Sequence, residues 1–200
     1  MEKVVCLLVL VILLNGCTIV MVHDKLKEPA MKFSDTIKVM ERVEGEKIHL
    51  TGFGSLTIIC IPVFPSWIKG DANVEIMKNI AEALRQVGYQ VVFIDSGNKT
   101  TATEPILKCK VLKYGFYNYT YLFPLVITWG GAHWKISLVN KDDSVIWSKD
   151  FKYNGNSFHI IKGHHVANKR MLNKMLNALV DEFSSKAFHD ALVAQTSQKN

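Results

Sequence analysis

The stretch DANVEIMKNIAEALRQVGYQVVFID, residues 71–95, decides the fold because it contains a helix and the strand that follows it. Apolar residues recur at intervals of three and four between Val74 and Val87, which is the spacing of an amphipathic helix. Asp71 is a suitable N-cap and Gly88 a suitable C-cap for that helix. The segment YQVVFID that follows is rich in β-branched and aromatic residues, so it is predicted to be a strand.

An earlier strand is predicted before the helix, because the run LTIICIPVF at residues 56–64 is continuously apolar and ends among prolines. The two strands and the helix between them form a β-α-β unit with parallel strands and a right-handed crossover. Three more strands and a final helix are predicted at residues 106–123, 132–140, 145–153 and 165–193. The four-residue loop 141–144 makes the last two strands a hairpin, while 124–131 and 154–163 are expected to be connections. The resulting order β-α-β-β-β-β-α predicts an α+β fold, with a single mixed β-sheet and the helices mainly on one face.

The first 17 residues, MEKVVCLLVLVILLNGC, have the features of an export signal. A short polar start with Lys3 is followed by an apolar run at 4–14, which matches the charged start and apolar core of a secretory signal peptide. As a helix, eleven residues span about 16 Å, roughly half of the ~30 Å hydrocarbon core of a bilayer. Residues 1–16 are therefore predicted to be a signal peptide.

The end of this signal, LNGC at residues 14–17, resembles the lipobox of bacterial lipoproteins, in which an aliphatic residue and two mostly small residues precede a cysteine. The resemblance implies cleavage between Gly16 and Cys17, a diacylglyceryl thioether on the Cys17 sulfur and acylation of the new amino terminus. These covalent groups are the sole cofactor expected, and several acyl chains anchor a protein stably. By the same resemblance, Thr18 favours the outer membrane, on its periplasmic side, in a host that has one. The alternative is an uncleaved anchor formed by residues 4–22, which is long enough to span a bilayer.

Residues 17–50 are predicted to be the lipidated amino terminus and a tether. Most of this segment is polar and charged with weak periodicity, and a short helix at 35–43 is the alternative within it. A flexible chain of about 28 residues has an end-to-end distance of roughly 30 Å. The folded domain is expected at residues 54–193, followed by a disordered tail at 194–200.

The charge of the chain limits the kinds of partner. It carries 24 Lys and Arg residues against 18 Asp and Glu residues, a formal net charge of +6 at pH 7. A basic surface favours anionic lipid headgroups or anionic cell-wall polymers. No nucleic acid partner is expected, because the protein is predicted to be exported and contains no zinc-finger or RNP motif.

Two cysteines, Cys60 and Cys109, are expected in the folded domain. Both lie in predicted strands, and Cys109 alternates with Leu107 and Val111 on the expected inner face. An exported compartment permits a disulfide between Cys60 and Cys109. The other interpretation is that both are buried free thiols that pack like small apolar residues.

No motif for catalysis is present, so the protein is predicted not to be an enzyme. The sequence lacks the G-x-S-x-G and H-E-x-x-H patterns, and the glycines within residues 52–54 precede a strand rather than joining a strand to a helix. His159, His164 and His165 lie close in the chain, but no cysteine or carboxylate stands at ligand spacing beside them, so no metal site is predicted. Asp95 ends a predicted parallel strand, where open α/β sheets hold ligands, although it more simply starts a turn.

The most distinctive segment after the lipobox is KYGFYNYTYLFPLVITWGG, residues 113–131. In an extended chain alternate side chains share a face, so the aromatic residues of this segment divide into two sets. One set is Tyr117, Tyr119, Tyr121 and Phe123, and the other is Tyr114 and Phe116. Together with Trp129, the three tyrosines of the first set form a candidate binding surface, since Tyr and Trp are enriched at interfaces. The alternative is that both faces of the strand are covered inside the domain.

The order of elements and the strand sequence VIWSKDF at residues 145–151 resemble small envelope accessory lipoproteins. These include activators of peptidoglycan synthases, the curli-secretion lipoprotein and auxiliary lipoproteins of lipid transporters. The inferred function is a lipid-anchored, non-enzymatic binding or accessory module of the cell envelope. Its expected partners are the membrane, through the anchor, and another envelope protein. Two alternatives stay open: an accessory protein that handles a lipid or a glycan, and an envelope hydrolase whose site is assembled from distant residues.

Overall fold

The computed structural model describes residues 18–44, 54–57, 67–95, 104–122, 125–140, 142–160 and 163–197. Its strands are β1 (Thr18–Ile19), β2 (Thr36–Met40), β3 (Gly54–Thr57), β4 (Trp67–Ile68), β5 (Gln90–Ile94), β6 (Ile106–Leu122), β7 (Leu125–Val139) and β8 (Val145–Ile160). Its helices are α1 (Ala72–Val87), α2 (Gly163–Phe183) and α3 (Lys186–Ser197).

Helix α1 begins and ends where the sequence predicts. The Asp71 side chain accepts a hydrogen bond from the Asn73 N–H at 2.9 Å, which satisfies one of the free donors at the helix start. Gly88 ends the helix in the left-handed conformation at φ 110°, and a Cβ there would lie 2.3 Å from the Phe33 carbonyl oxygen. Glycine is therefore required both by the backbone conformation and by the close approach of a neighbouring segment.

The main sheet is mixed, and its central strand order is β5-β2-β6-β7-β8. Strand β2 runs parallel to both β5 and β6, whereas β6, β7 and β8 are antiparallel neighbours. Strand β3 pairs in parallel with the outer part of β6, and β1 pairs with β4 in a separate two-stranded sheet. Helices α1 and α2 cover one face, so the predicted α+β fold with a single mixed sheet is confirmed.

Strand β2 corrects the predicted tether. The segment TIKVM lies between β5 and β6 in the sheet, and Ile37 and Val39 are fully buried. Neither a flexible tether nor a helix at residues 35–43 describes it. The β-α-β unit is therefore β2-α1-β5. The prediction that residues 56–64 form its first strand is wrong, because β2 pairs with β5 instead. Within 56–64, residues 58–64 lie outside the described part of the chain.

The N-terminal strap, residues 20–35, also belongs to the folded domain. Met21 and Leu26 are buried against the core. The backbone N–H groups of Asp24 and Lys27 donate to the side-chain oxygens of Asn173 and Asn177 on α2, at 2.8 and 2.9 Å. Because its backbone donors are satisfied by α2, the strap is held in place, and the predicted domain start at residue 54 is wrong.

The long strands β6, β7 and β8 extend further than predicted. Residues 125–131 continue β7 and residues 154–160 continue β8, although both ranges were expected to be connections. Glycine and asparagine in these ranges are typical turn residues, which explains the wrong expectation. Gly155 instead allows α2 to approach the sheet, since a Cβ there would lie 2.2 Å from the Ala167 carbonyl oxygen.

The C-terminal helix predicted at residues 165–193 is two helices. Helix α2 ends at Phe183, and α3 begins at Lys186. The Ser185 side-chain oxygen caps the start of α3 by accepting a hydrogen bond from the Phe188 N–H at 3.2 Å. Phe188 on α3 is buried against Phe183 and Trp147, with ring centroids 4.9 Å apart in each pair. Helix α3 continues to Ser197, so the predicted disordered tail is wrong for residues 194–197.

Candidate binding surface

The two faces of β6, β7 and β8 differ in what covers them. Tyr114, Phe116 and Trp134 are buried on the side where α1 and α2 pack. Tyr117 and Trp129 are directly opposite each other in the β6–β7 register and point to the other side. The predicted division of Tyr114 and Phe116 from Tyr117 is confirmed. The uncovered face is defined here as the side of β6, β7 and β8 against which none of the described helices packs.

Apolar side chains are exposed at the outer end of the uncovered face. Tyr117 and Trp129 stack with ring centroids 6.4 Å apart at 29°. Ile127 pairs with Phe158 across β7 and β8, on the same face as Trp129. These four residues are called the aromatic patch, and their relative exposures are 45% for Tyr117, 43% for Ile127, 49% for Trp129 and 66% for Phe158.

The sequence predicted the aromatic patch only in part. Tyr117 and Trp129 were proposed from the sequence, whereas Ile127 and Phe158 were missed because each fell in a predicted connection. Tyr119 occupies a β6 position paired with Ile127, and Tyr121 also lies in β6, but the side chains of both lie outside the described residues. Ile127 stands two residues before Trp129, so the period of a strand would have placed both on one face; Phe158 follows polar residues on its side of β8, and no such signal identifies it.

Basic side chains form two rows across the same face, closer to the middle of the sheet. In the first row, Lys110 of β6 lies opposite Lys135 of β7. In the second row, Lys113, His133 and Lys152 lie side by side on β6, β7 and β8. The four lysines are exposed, and none of them forms an ion pair with an acidic residue in the part of the chain that the structure describes. These five residues are called the basic rows.

Acidic residues stand at both ends of the first basic row, Glu44 beside Lys110 and Asp150 beside Lys135. Asp150 pairs with Lys135 in the register, and its carboxylate lies 3.4 Å from His133 Nε2. Like charges directly opposite each other on neighbouring strands are destabilising, so the Lys110–Lys135 pair is not explained by the stability of the sheet. The arrangement suits the binding of an anionic partner.

A glycine pair separates the basic rows from the aromatic patch. Gly115 and Gly131 are opposite each other in the β6–β7 register. The row with Lys113 and the row with Trp129 are four residues apart along the strands, which is about 13 Å at ~3.3 Å per residue. Between them β6 and β7 contribute no side chain, while the side chain of Asn154 on β8 lies beside Gly131. The uncovered face is thus one surface with an apolar end and a basic middle.

Lys108 does not belong to the basic rows, although alternation places it on the same side of β6 as Lys110. It is only 6% exposed, because Glu44 at 3.0 Å and Asp143 enclose its ammonium group. Burial lowers the pKa of Lys108, but its hydrogen bonds to Asp143 and Glu44 outweigh burial, so the net shift of the pKa is upward. Lys108 is therefore a buried, paired charge that joins the end of β2 to the hairpin loop.

The predicted lipidation site lies outside the described residues. This applies to Leu14, Asn15, Gly16 and Cys17, so signal cleavage and acylation stay predictions. Within the part of the chain that the structure describes, no helix combines the length and the apolar composition needed to cross a membrane.

Of the two cysteines predicted to pair, the structure describes one, Cys109. Cys109 is a fully buried free thiol, and burial raises its pKa well above the ordinary value, so it is a poor nucleophile. Cys60 lies outside the described residues, and a bridge between Cys60 and Cys109 stays a prediction.

The other candidate residues are not brought together by the described part of the structure. Asp95 is exposed after β5, and His165 is exposed near the start of α2. The side chains of His159 and His164 lie outside the described residues. Among the residues that are described, no group of three or more His, Cys, Asp or Glu side chains is placed to hold a metal ion.

Comparison with solved structures found similar chains at low sequence identity. A protein from Xanthomonas campestris, whose description names the family model DUF330, is 12% identical with a TM-score of 0.57, over 92% of this chain and 100% of that chain. A Helicobacter pylori protein described as a neuraminyllactose-binding hemagglutinin homologue is 11% identical with a TM-score of 0.48, over 87% and 98% of the two chains. A PelC dodecamer from Paraburkholderia phytofirmans is 16% identical with a TM-score of 0.39, over 78% and 95%.

The likeness to the Xanthomonas campestris protein shows a shared fold and nothing further. No family model matches the chain, and no curated protein is significantly similar to it.

Proposed function

We propose that this protein is a lipid-anchored component of the bacterial cell envelope that acts as a non-catalytic binding module. The observation that carries the proposal is the aromatic patch on the uncovered face. Its four side chains are between 43% and 66% exposed, although the opposite side of the same strands provides a complete apolar core. They are therefore not needed to hold the sheet together, and an exposed apolar cluster of this kind is typical of an interaction site.

The composition of the face supports binding rather than chemistry. Tyr and Trp provide a large apolar area with a polar atom at its edge, and they are enriched where one molecule contacts another. The neighbouring lysines can bind and orient an anionic partner. The sequence contains none of the nucleophile, metal or phosphate-loop patterns expected of a hydrolase. The resemblance of residues 14–17 to a lipobox supports the lipid anchor.

The proposal is tested by photo-crosslinking in intact cells with the full chain. A photoreactive amino acid at position 129 samples the aromatic patch, and the same residue at position 174, which is exposed on α2, is the matched control. We expect adducts from position 129, with protein or with lipid, and far fewer from position 174. Equal yields from the two positions would show that the uncovered face has no partner and would overturn the proposal.

A further inference from the structure

We propose that the uncovered face docks on an anionic lipid bilayer, with the aromatic patch at the boundary between headgroups and acyl chains and the basic rows on the headgroups. This inference rests on the proposed function, because it names the partner of the same face. The chemistry of the face supports a bilayer in two independent ways, and the direction of the N-terminal strap supports it in a third.

The first argument is the chemical character of the aromatic patch. Trp129 and Tyr117 have a large ring and a polar edge, which is the combination that favours the interface of a membrane. Ile127 and Phe158 have no polar group and are among the exposed large apolar residues of the described chain. Such a mixture suits the boundary between headgroups and acyl chains, where polar atoms are hydrated and apolar side chains contact lipid.

The second argument is charge. The basic rows place Lys110, Lys113, Lys135 and Lys152 on one face, and two acidic residues stand beside the first row, Glu44 next to Lys110 and Asp150 next to Lys135. Each lysine close to an anionic membrane strengthens association by roughly fivefold. The like charges that oppose each other across β6 and β7 are relieved by phosphate groups, which a bilayer supplies as an extended array. This selects a bilayer that contains anionic lipid.

The third argument is where the strap leads the chain. Asp24 contacts Lys169 and Asn173, and three residues later Lys27 contacts Asn177 and Asp181, so the strap runs along α2 in the same direction as that helix. Followed backwards, the strap leads toward the start of α2.

The start of α2 lies at the same end of the sheet as the aromatic patch, on the opposite face. Helix α2 starts at Gly163, just after the end of β8, and Phe158 lies at that end of β8. Thr18, which follows Cys17 in the sequence, pairs with Trp67 shortly before α1 begins. A lipid on Cys17 would therefore hold the same end of the molecule as the aromatic patch close to the bilayer.

The test measures the depth of Trp129 in a membrane with the full chain reconstituted in vesicles. The probe is phosphatidylcholine brominated on its acyl chains, with and without phosphatidylglycerol, and the readout is quenching of tryptophan fluorescence. The Trp129→Phe variant identifies the signal of Trp129 among the four tryptophans of the chain. We expect quenching that requires phosphatidylglycerol, is lost in Trp129→Phe and is abolished at 1 M salt, where the Debye length is about 3 Å.

A pair of matched charge variants separates the face from net charge. Replacing Lys110, Lys113, Lys135 and Lys152 by Gln should reduce the quenching of Trp129 to the level of vesicles without phosphatidylglycerol. The control replaces four exposed lysines outside the uncovered face, Lys25, Lys32, Lys174 and Lys186, by Gln and should leave the quenching unchanged.

Quenching that is independent of anionic lipid, or equally reduced by both quadruple variants, would overturn the bilayer as the partner. If position 129 crosslinks to a protein in cells and Trp129 is not quenched in any vesicle, this inference is overturned and the proposed function is retained. If, in addition, positions 129 and 174 crosslinked equally in cells, both the bilayer inference and the proposed function would be overturned.

Discussion

At the scale of single residues, the two tryptophans of β7 differ in their surroundings. Trp134 is fully buried among the helices, whereas Trp129 is 49% exposed on the uncovered face. The two positions differ by an odd number of residues, so their side chains point to opposite sides of the strand. Trp129 lies between Thr128 and Gly130, and Trp134 lies between His133 and Lys135, so the direction of each side chain rather than its neighbours in the chain decides its role.

This difference predicts the outcome of two alanine substitutions. Trp134→Ala should lower the free energy of unfolding by about 3–5 kcal/mol, because it leaves a cavity in the core. Trp129→Ala should change it by less than about 1 kcal/mol, because its site is open to solvent. Urea denaturation of the two variants gives both values. Similar large losses would mean that the uncovered face is covered within the domain and would contradict the surface assignment.

At the scale of secondary-structure elements, β2 shows what local patterns miss. Its first four residues, TIKV, alternate between polar and apolar, but the pattern is short and lies in a polar, charged segment. The strands that pair with it, β5 and β6, begin at Gln90 and Ile106, far away in the chain. A short strand is recognised from its partners rather than from its own period, so the tether was the natural prediction from sequence.

The position of β2 predicts slow hydrogen exchange at its center. The backbone amides of residues 36–40 should exchange as slowly as those of β7 near Trp134, because both strands are internal to the sheet. Ile37→Ala should cost about 2–5 kcal/mol, while Thr36→Ala at the exposed start of the same strand should cost much less. Rapid hydrogen exchange across residues 36–40, measured by mass spectrometry, would contradict an internal strand and support the flexible tether predicted from the sequence.

The contacts of the strap with α2 predict that the stability of the strap depends on pH. Hydrogen bonds from Lys169 and Asn173 lower the pKa of Asp24 below its ordinary value. A lowered pKa means that the contact stabilises the strap above the ordinary carboxyl range and is lost as the pH falls through the lowered pKa.

We therefore expect amide protection of the strap at neutral pH and its loss in acid, after correction for the intrinsic exchange rate. Asp24→Asn should loosen the strap already at neutral pH. Glu28→Gln is the control, because the Glu28 side chain is 69% exposed and its nearest lysine amines lie 3.9 and 4.0 Å away. If the two variants exchange alike, Asp24 does not hold the strap.

At the scale of the whole molecule, the start of α2 and the end of β8 lie at one end, and the strap, followed backwards, leads toward that end. On the proposed docking, this end of the molecule would face the membrane. A lipid anchor and a binding face at one end would restrict the orientation of the protein on the bilayer. The predicted processing of Cys17 therefore matters to the function of the whole molecule.

We expect mass spectrometry of the mature protein to identify a lipid-modified Cys17 as its first residue. Cys17→Ser should prevent lipidation and processing, because the hydroxyl cannot form the thioether. The domain should still fold, since Cys17 precedes the strap and the sheet. An intact Met1 on the wild-type protein in the membrane fraction would instead support the uncleaved anchor of residues 4–22.

The sequence by itself determined the elements that carry strong local signals. Helix α1 with its caps, strand β6, the hairpin of β7 and β8 and the α+β class are predictable, because long periodic segments and capping residues encode them locally. The division of Tyr117 from Tyr114 and Phe116 follows from the two-residue period of a strand. The resemblance of residues 14–17 to a lipobox is likewise local, and lipidation stays a prediction.

Only the tertiary structure decided which segments share the sheet and which face is open. It placed β2 in the interior, extended β7 and β8 through their glycines and brought Ile127 and Phe158 beside Trp129. It also set the lysines of three different strands in two rows. Each of these facts depends on strand register and on where the helices pack. Those are contacts between residues far apart in the chain, and no local pattern encodes them.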